Sequence, residues 1–229
     1  MLKAVIFDFD GVVADSELLH FKALNQAFAT RGLEVPKDLH WQKYLGFTDL
    51  ENILAVNEDY KMNWTQDDVR QLAELKAVNF RALARTEAPI LDGVKEFIDR
   101  LKKAGLLLGI CSGAIQEDIR IMLEHSGFAD AFDVVVTAED IQKGKPDPQG
   151  YLLALEKLNK KGGREIQADD CIVIEDSHWG LQAAAAAGMH RIAVTNTYLK
   201  DHLQQWAELV VDRLDKITVP DLQRICDSI

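Results

Sequence analysis

The distribution of apolar positions divides the chain into strand-forming and purely helical regions. Residues 4–9 form an apolar run rich in β-branched and aromatic side chains, which is typical of a buried strand. Residues 33–88 carry only helical signals, whereas from residue 91 onward short apolar runs alternate with helical patterns. Strands separated by single helices predict a parallel sheet with helices on both faces.

The same periodicities predict the individual elements. The first helix should present Leu18, Phe21, Leu24 and Phe28 as its apolar stripe, and a long helix should cover residues 65–85. Further strands are predicted at 106–111, 134–136, 171–174, 192–195 and 209–211, and further helices at 94–103, 115–125, 149–158 and 181–187. The fold class is therefore α/β: a Rossmann-like parallel-sheet core of residues 1–15 and 90–229, with an all-helical domain of residues 16–89 inserted after the first strand.

Composition narrows the classes of partner. The chain has 229 residues, 48% of them hydrophobic, which is enough for a large core and argues against disorder. Its formal net charge of -11 disfavours nucleic acid and anionic membrane surfaces. No apolar stretch is long enough to span a bilayer, and the N-terminus does not resemble a signal peptide. Three scattered cysteines predict buried thiols in a reducing cytoplasm.

Carboxylates follow two of the predicted strands. Asp8 and Asp10 lie one residue apart at the end of the first strand, so they project to the same side, and Gly11 permits the turn that follows. Glu175 and Asp176 come directly after another apolar strand. Such acids also occur as ordinary turn caps or as partners of a helix dipole, and that structural explanation stays open for each pair taken alone.

The exits of two other strands carry groups that suit an anion. Ser112, Gly113 and Ala114 combine a hydroxyl with exposed backbone at the start of a helix, although a simple N-cap explains Ser112 equally well. Lys145 stands beside Pro146, which favours a positioned cation over a solvated surface lysine. Because ligands of open parallel sheets bind beyond the carboxyl ends of the strands, four carboxylates, a lysine and an anion site should converge there. A divalent cation together with a phosphoryl group accounts for that set.

The order and spacing of these motifs resemble those of the haloacid dehalogenase superfamily of phosphotransferases. The matching residues are Asp8-x-Asp10-Gly11-Val12, Ser112-Gly113, Gly144-Lys145-Pro146 and Glu175-Asp176-Ser177. The helical insert resembles the cap of the β-phosphoglucomutase-like branch, and the likeness covers essentially the whole chain.

The resemblance implies a role for each motif. Asp8 would attack phosphorus and form an aspartyl-phosphate, and Asp10 would protonate the leaving oxygen before activating water. Ser112, Gly113 and Ala114 would bind the phosphoryl oxygens together with Lys145. The cofactor implied is Mg²⁺, held by Asp8, Asp10, Asp176 and either directly or through water by Glu175.

Substrate selection is expected from the inserted cap. The resemblance places Gly46, Phe47 and Thr48 in a cap loop near the substrate and Lys76 at a position that can face it, although a solvated helix face explains Lys76 equally well. His20 is expected to support the hinge of the cap rather than to take part in catalysis.

Three functions remain open at this stage. The leading prediction is a cytoplasmic, monomeric, Mg²⁺-dependent phosphatase of small phosphorylated metabolites, sugar phosphates above all, without nucleic-acid or membrane partners. The alternatives are a β-phosphoglucomutase-type phosphomutase and a non-catalytic binding protein on the same fold. The mutase branch uses a cap-loop arginine to hold a distal phosphate, and alignment on Gly46 places Asp49 there, with only Lys43 and Lys76 as nearby cations. This favours water as the final phosphoryl acceptor.

Overall fold

The computed structural model describes residues 1–45, 47–87, 90–124, 126–163 and 165–227. The chain falls into two compact units, Met1–Asp15 with Pro89–Ile229, and Ser16–Ala88. We call them the sheet unit and the helical unit. No helix within the described residues is both long and apolar enough to cross a membrane.

The sheet unit is built on six parallel strands, which confirms the predicted α/β fold class. They are β1 (Ala4–Phe7), β2 (Leu107–Cys111), β3 (Val134–Val136), β4 (Cys171–Glu175), β5 (His190–Val194) and β6 (Leu209–Val211). Their order across the sheet is β3-β2-β1-β4-β5-β6. Phe7 pairs with Ile110 of β2 and Ile174 of β4, so the three central strands end at the same level. This register places the residues that follow them side by side.

Helices flank the sheet and make up the second unit. They are α1 (Glu17–Ala29), α2 (Lys37–Leu39), α3 (Asp49–Asp59), α4 (Gln66–Glu87), α5 (Val94–Lys103), α6 (Gln116–Leu123), α7 (Gln149–Gly162), α8 (His178–Ala186), α9 (Lys200–Leu203) and α10 (Val219–Asp227). A π-helical turn over His40–Tyr44 continues α2. The element types follow the sequence prediction, with boundaries shifted by a few residues.

The apolar stripe predicted for α1 is only partly right. Leu24 and Phe28 are buried as predicted, but Leu18 and Phe21 are only half-buried. The helix instead buries Leu19. The buried face of the helix therefore differs from the predicted stripe and includes Ala23 and Ala27, because α1 packs along α4.

The cores of the two units differ in origin. In the sheet unit, β1 and β4 are buried along their whole length, and the ring of Phe7 packs edge-on against Phe97 and Phe132. In the helical unit, side chains from α1, α3 and α4 form a separate apolar cluster that includes Phe28, Ile53 and Leu72. Each unit therefore buries its own hydrophobic core.

Candidate active site

Three acidic side chains meet where β1 and β4 end. Asp8, Glu175 and Asp176 are all buried, and each offers a carboxylate oxygen within 4.8 Å of the others. The parallel register explains this. Phe7 pairs with Ile174, and Asp8 and Glu175 are the residues that directly follow this pair. Like charges this close and this buried repel one another strongly unless a cation or a proton compensates them.

Lys145 is the cation that the structure provides. Its Nζ donates to Asp8 Oδ1 at 2.7 Å and to Glu175 Oε1 at 2.6 Å. Burial alone would lower the pKa of Lys145, but the two carboxylates outweigh burial and raise it well above its ordinary value. The alternative of a solvated surface lysine is therefore wrong, since the side chain bridges two acids.

Glu175 is held on every side by the protein. Its Oε1 accepts from Lys145 and from the Tyr151 hydroxyl at 2.9 Å, and its Oε2 accepts from the Ser177 hydroxyl at 3.0 Å and two backbone amides. A Cβ added at Gly180 would lie 1.6 Å from Glu175 Oε1, so only glycine leaves room for this arrangement. Glu175 thus positions Lys145, and an ion could reach it directly only by displacing one of these donors.

The remaining two acids have strongly perturbed pKa values. Burial raises the pKa of Asp8 to about 7; Lys145 opposes this shift, while Glu175 and Asp10 add to it. Burial, followed by the charges of Glu175 and Asp8, raises the pKa of Asp176 well above its ordinary value. Burial is the larger cause of both shifts, and the neighbouring carboxylates add to it.

Asp10 joins this group through Ser112. The Ser112 hydroxyl donates to Asp10 Oδ2 at 3.3 Å and accepts from the Ala114 amide at 3.0 Å. Asp10 lies in a tight turn after β1, in which Gly11 has a φ of 74°. Ser112 therefore links the second predicted motif to Asp10 of the first, while the exposed Gly113 has open space around it.

The helix predicted to start at 115 begins one residue later, and its first amide is already paired. Gln116 N donates to Glu139 Oε2 at 2.9 Å, and the Ala114 amide is held by Ser112. A carboxylate at a helix N-terminus satisfies a free donor and interacts favourably with the helix dipole. Of the four predicted phosphate-binding residues, Gly113 is the most exposed, and the backbone amides of Ser112 and Ala114 both donate within the protein.

The donor set fits a divalent cation. Asp8, Glu175 and Asp176 bring three negative charges when ionised, and Lys145 returns one, which leaves two uncompensated charges in a buried site. Hard divalent cations prefer carboxylate oxygens, and one such ion balances the remainder. This arithmetic agrees with the predicted Mg²⁺ site.

The cap residues predicted to face substrate lie in the helical unit, where they have structural partners. Thr48 caps α3 through a reciprocal capping box with Glu51, and Phe47 is 47% exposed. Gly46 lies outside the described residues. Lys76 is not on a solvated face: its side chain is only 3% exposed, and its Nζ contacts Asp49 Oδ1 at 2.6 Å and His20 Nδ1 at 2.7 Å.

The burial of Lys76 has a signal in the sequence that the prediction missed. Lys76 lies on the same face of α4 as Val69, Leu72, Phe80 and Ala84, all of which are buried. A charged residue in register with an apolar stripe is expected inside the molecule, with a partner.

Other functional neighbours were also missed. Tyr151 supports Glu175, and the loop after β5 reaches the Gly11 turn through Asn196. The strand-exit rule that found Asp8 and Glu175 applies equally to β5, so residues Asn196 and Thr197 could have been found by the same reasoning.

Comparison with known proteins identifies the family. A family model for haloacid dehalogenase-like hydrolases matches residues 5–194. A phosphorylated carbohydrates phosphatase of Thermotoga maritima is 31% identical, with 83% of this chain and 84% of that protein covered. The chain belongs to the haloacid dehalogenase-like hydrolase family, and it is an enzyme of a family whose curated relatives include phosphatases.

Solved structures share the fold. CbbY from Rhodobacter sphaeroides, solved with xylulose-(1,5)bisphosphate, superposes with a TM-score of 0.82 at 24% identity, covering 97% of this chain and 99% of that one. A β-phosphoglucomutase from Clostridium difficile gives a TM-score of 0.80 at 24% identity, covering 100% and 98% of the two chains. These structures confirm the predicted fold, and the family match confirms the predicted superfamily.

Proposed function

We propose that this protein is a Mg²⁺-dependent phosphatase that hydrolyses small phosphorylated metabolites, above all sugar phosphates, through an aspartyl-phosphate on Asp8. The observation that carries the proposal is the buried group of Asp8, Glu175 and Asp176 around Lys145 at the ends of β1 and β4. In this proposal the sheet unit is the catalytic core and the helical unit is the cap that selects substrate.

The first chemical step uses Asp8 and Asp10. The Asp8 carboxylate attacks phosphorus, a bond forms between them, and the bond from phosphorus to the ester oxygen breaks. Asp10, oriented by Ser112, gives its proton to the leaving oxygen. Lys145 stays against Asp8 and compensates charge on the transferring group.

The second step returns the enzyme to its starting state. Asp10, now a carboxylate, takes a proton from a water molecule, and the resulting hydroxide attacks the phosphorus of the aspartyl-phosphate. The bond from phosphorus to Asp8 breaks, so inorganic phosphate leaves and both aspartates recover their original protonation. Gly113 supports the phosphoryl oxygens through its accessible backbone amide.

Asp8 and Asp176 are the side chains proposed to hold Mg²⁺, with the Asp10 carbonyl as the further ligand that the family resemblance implies. Glu175 would support this site without ligating the ion directly, because its own oxygens accept hydrogen bonds from Lys145, Tyr151 and Ser177. When bound, Mg²⁺ supplies positive charge that screens the incoming phosphate from the carboxylates.

Water is the proposed final acceptor, for a reason found within the helical unit. A mutase needs a cation that binds a second phosphate, and the two lysines considered for that role are already paired. Lys43 contacts Asp59 at 2.6 Å, and Lys76 contacts Asp49 at 2.6 Å. The similarity to a phosphorylated carbohydrates phosphatase supports the same conclusion and favours sugar phosphates as substrates.

The proposed setting follows from the cysteines. Cys111, Cys171 and Cys226 are buried free thiols, which fits a reducing cytoplasm. Burial raises the pKa of the Cys111 thiol to about 12, so it stays protonated and unreactive. We propose a monomer acting there on diffusing metabolites.

The deciding experiment is a panel of phosphate esters that includes p-nitrophenyl phosphate, assayed with Mg²⁺, with EDTA, and with EDTA followed by excess Mg²⁺. We expect phosphate release with Mg²⁺, no release in EDTA, and full recovery of activity when excess Mg²⁺ is added after EDTA. Activity that persists in EDTA would remove the metal from the mechanism, and no release from any ester would favour a binding protein.

A second assay separates phosphatase from mutase. The protein receives β-glucose 1-phosphate with a trace of the 1,6-bisphosphate, and both free phosphate and glucose 6-phosphate are followed. We expect phosphate to form faster than glucose 6-phosphate. The opposite order would establish the phosphomutase.

A further inference from the structure

The loop after β5 fastens the turn that contains Asp10 and Gly11. Asn196 Nδ2 donates to the Gly11 carbonyl at 2.8 Å, across 185 positions of sequence. In the sheet, β4 lies between β1 and β5, so this loop extends past the end of β4 to reach the end of β1. The contact therefore ties the loop after β5 to the turn after β1, across the end of β4.

The next residue of the same loop contacts Asp176. The Thr197 hydroxyl donates a hydrogen bond to the Asp176 carboxylate. Both groups converge on Gly11: a Cβ added there would lie 1.9 Å from Asp176 Oδ2 and 2.8 Å from Thr197 Oγ1. Glycine at position 11 thus makes room for a carboxylate and for the hydroxyl that orients it.

We propose that Asn196 and Thr197 are positioning residues for the divalent-cation site, holding the turn around Asp10 and the side chain of Asp176 in the geometry that binds the ion. The inference rests on the proposed function, since it takes Asp176 and the Asp10 carbonyl as ligands. Neither residue touches the reacting atoms in this scheme. Their part is to restrict where the ligand oxygens can go.

The physical reason is the freedom of a short acidic side chain. Asp176 rotates about two side-chain bonds, and its burial, together with the neighbouring charges of Glu175 and Asp8, disfavours its ionised form. A donated hydrogen bond fixes one carboxylate oxygen, while the several lone pairs of the carboxylate leave room for a cation. Outer groups of this kind contribute about 10–100-fold to metal affinity.

The test measures Mg²⁺ binding directly, by calorimetric titration of the metal-free full-length protein. Thr197→Val removes the hydroxyl at nearly constant shape, and Thr197→Ser restores it. Thr195→Val makes the same chemical change two residues earlier, where the backbone amide donates to Val211 O and, among the described residues, no hydrogen bond of the side chain is recorded. We expect Thr197→Val to bind Mg²⁺ about tenfold more weakly, with the other two variants within about twofold of the wild type.

Two further readouts separate positioning from general damage. The thermal midpoint in EDTA should be unchanged in Thr197→Val, and kcat should approach the wild-type value at saturating Mg²⁺. Asn196→Ala should weaken Mg²⁺ binding in the same direction, because the Gly11 carbonyl loses its tether.

Wild-type affinity in Thr197→Val, or an equal loss in Thr195→Val, would overturn the inference. Either result would leave the proposed phosphatase function unaffected, provided that the wild type binds Mg²⁺ and releases phosphate. A wild type that binds no Mg²⁺ while it releases phosphate would refute both the metal site and its positioning residues.

Discussion

Each unit of the protein holds a lysine between two partners, and the charges around the two lysines differ. In the sheet unit, Lys145 contacts Asp8 and Glu175 at 2.7 and 2.6 Å. In the helical unit, Lys76 contacts Asp49 at 2.6 Å and His20 at 2.7 Å. The contact distances are nearly the same, so the difference between the two sites lies in charge.

The Lys145 cluster has excess negative charge, whereas the Lys76 cluster is balanced. Asp176 lies beside Asp8 and Glu175, so one ammonium faces three carboxylates. His20, by contrast, is neutral: burial, Lys76 and His40 lower its pKa well below the ordinary value. Because a lysine ammonium only donates, His20 Nδ1 accepts from Lys76 and the ring proton lies on Nε2. An unbalanced cluster can take up a cation and hold a reactive carboxylate, while a balanced one holds helices together.

The comparison is tested most strongly by the same substitution, Asp to Asn, beside each lysine. We expect Asp8→Asn to lower kcat by about 10⁴-fold or more, because an amide cannot form the acyl-phosphate. Asp49→Asn, the matched control, should retain turnover of p-nitrophenyl phosphate within about tenfold. Circular dichroism should show both variants folded, since Asp8→Asn also relieves repulsion. Near wild-type turnover in Asp8→Asn would refute covalent catalysis.

Asp10→Ala tests a second acid of the excess-charge cluster. Turnover should fall by about 10²–10⁴-fold, because the leaving oxygen loses its proton donor. Inorganic phosphate should still bind with Mg²⁺ present, since Ser112, Gly113 and Lys145 remain, and calorimetry measures this directly. If phosphate affinity fell as far as turnover, Asp10 would be a structural residue.

Removing each lysine compares the stabilities of the two clusters. Lys145→Met strands buried carboxylates, and breaking a buried ion pair in this way costs about 3–5 kcal/mol. Lys76→Met strands Asp49, but that side chain is 43% exposed and can be hydrated, so we expect about 1 kcal/mol. Urea unfolding of the metal-free proteins gives both values. Equal losses would mean that charge excess does not distinguish the clusters.

The smallest effect concerns the acid sensitivity of the helical unit. Because the folded pKa of His20 lies below its unfolded value, its stabilising contribution is complete above about pH 6.5 and declines as pH falls. Urea unfolding should therefore be compared between the wild type and a His20 variant from pH 7.5 to pH 5, because the raised pKa values of Asp8 and Asp176 act in the opposite direction over this range and are common to both proteins (the range brackets the ordinary histidine value of about 6.5).

His20→Asn keeps a neutral acceptor near Nδ1 and removes the titration. We expect its free energy of unfolding, measured relative to that of the wild type, to increase as the pH falls over the same range. A constant difference between the two proteins would show that His20 does not titrate on unfolding in this way.

The sequence alone determined the parallel sheet and the positions of most site residues. Apolar runs with a strand-like pattern located β1, β2 and β4, and the register of parallel strands brings whatever follows them to one edge. Asp8, Ser112 and Glu175 could therefore be predicted as neighbours without any knowledge of distances. Local burial patterns carry this information because a strand buried on both faces needs continuous apolar sequence.

Only the tertiary structure decided how the polar side chains pair. The hydrogen bonds from Tyr151 to Glu175 and from Asn196 to Gly11 join distant positions. The same holds for Lys76. The sequence did not distinguish a position facing the substrate from a solvated helix face, and packing placed the side chain beside Asp49 and His20. Such pairings depend on the distance between side chains from different elements, to a fraction of the length of a hydrogen bond. Hydrophobic periodicity sets which face of an element is buried, but it leaves the choice of polar partner to the packing of one element against another.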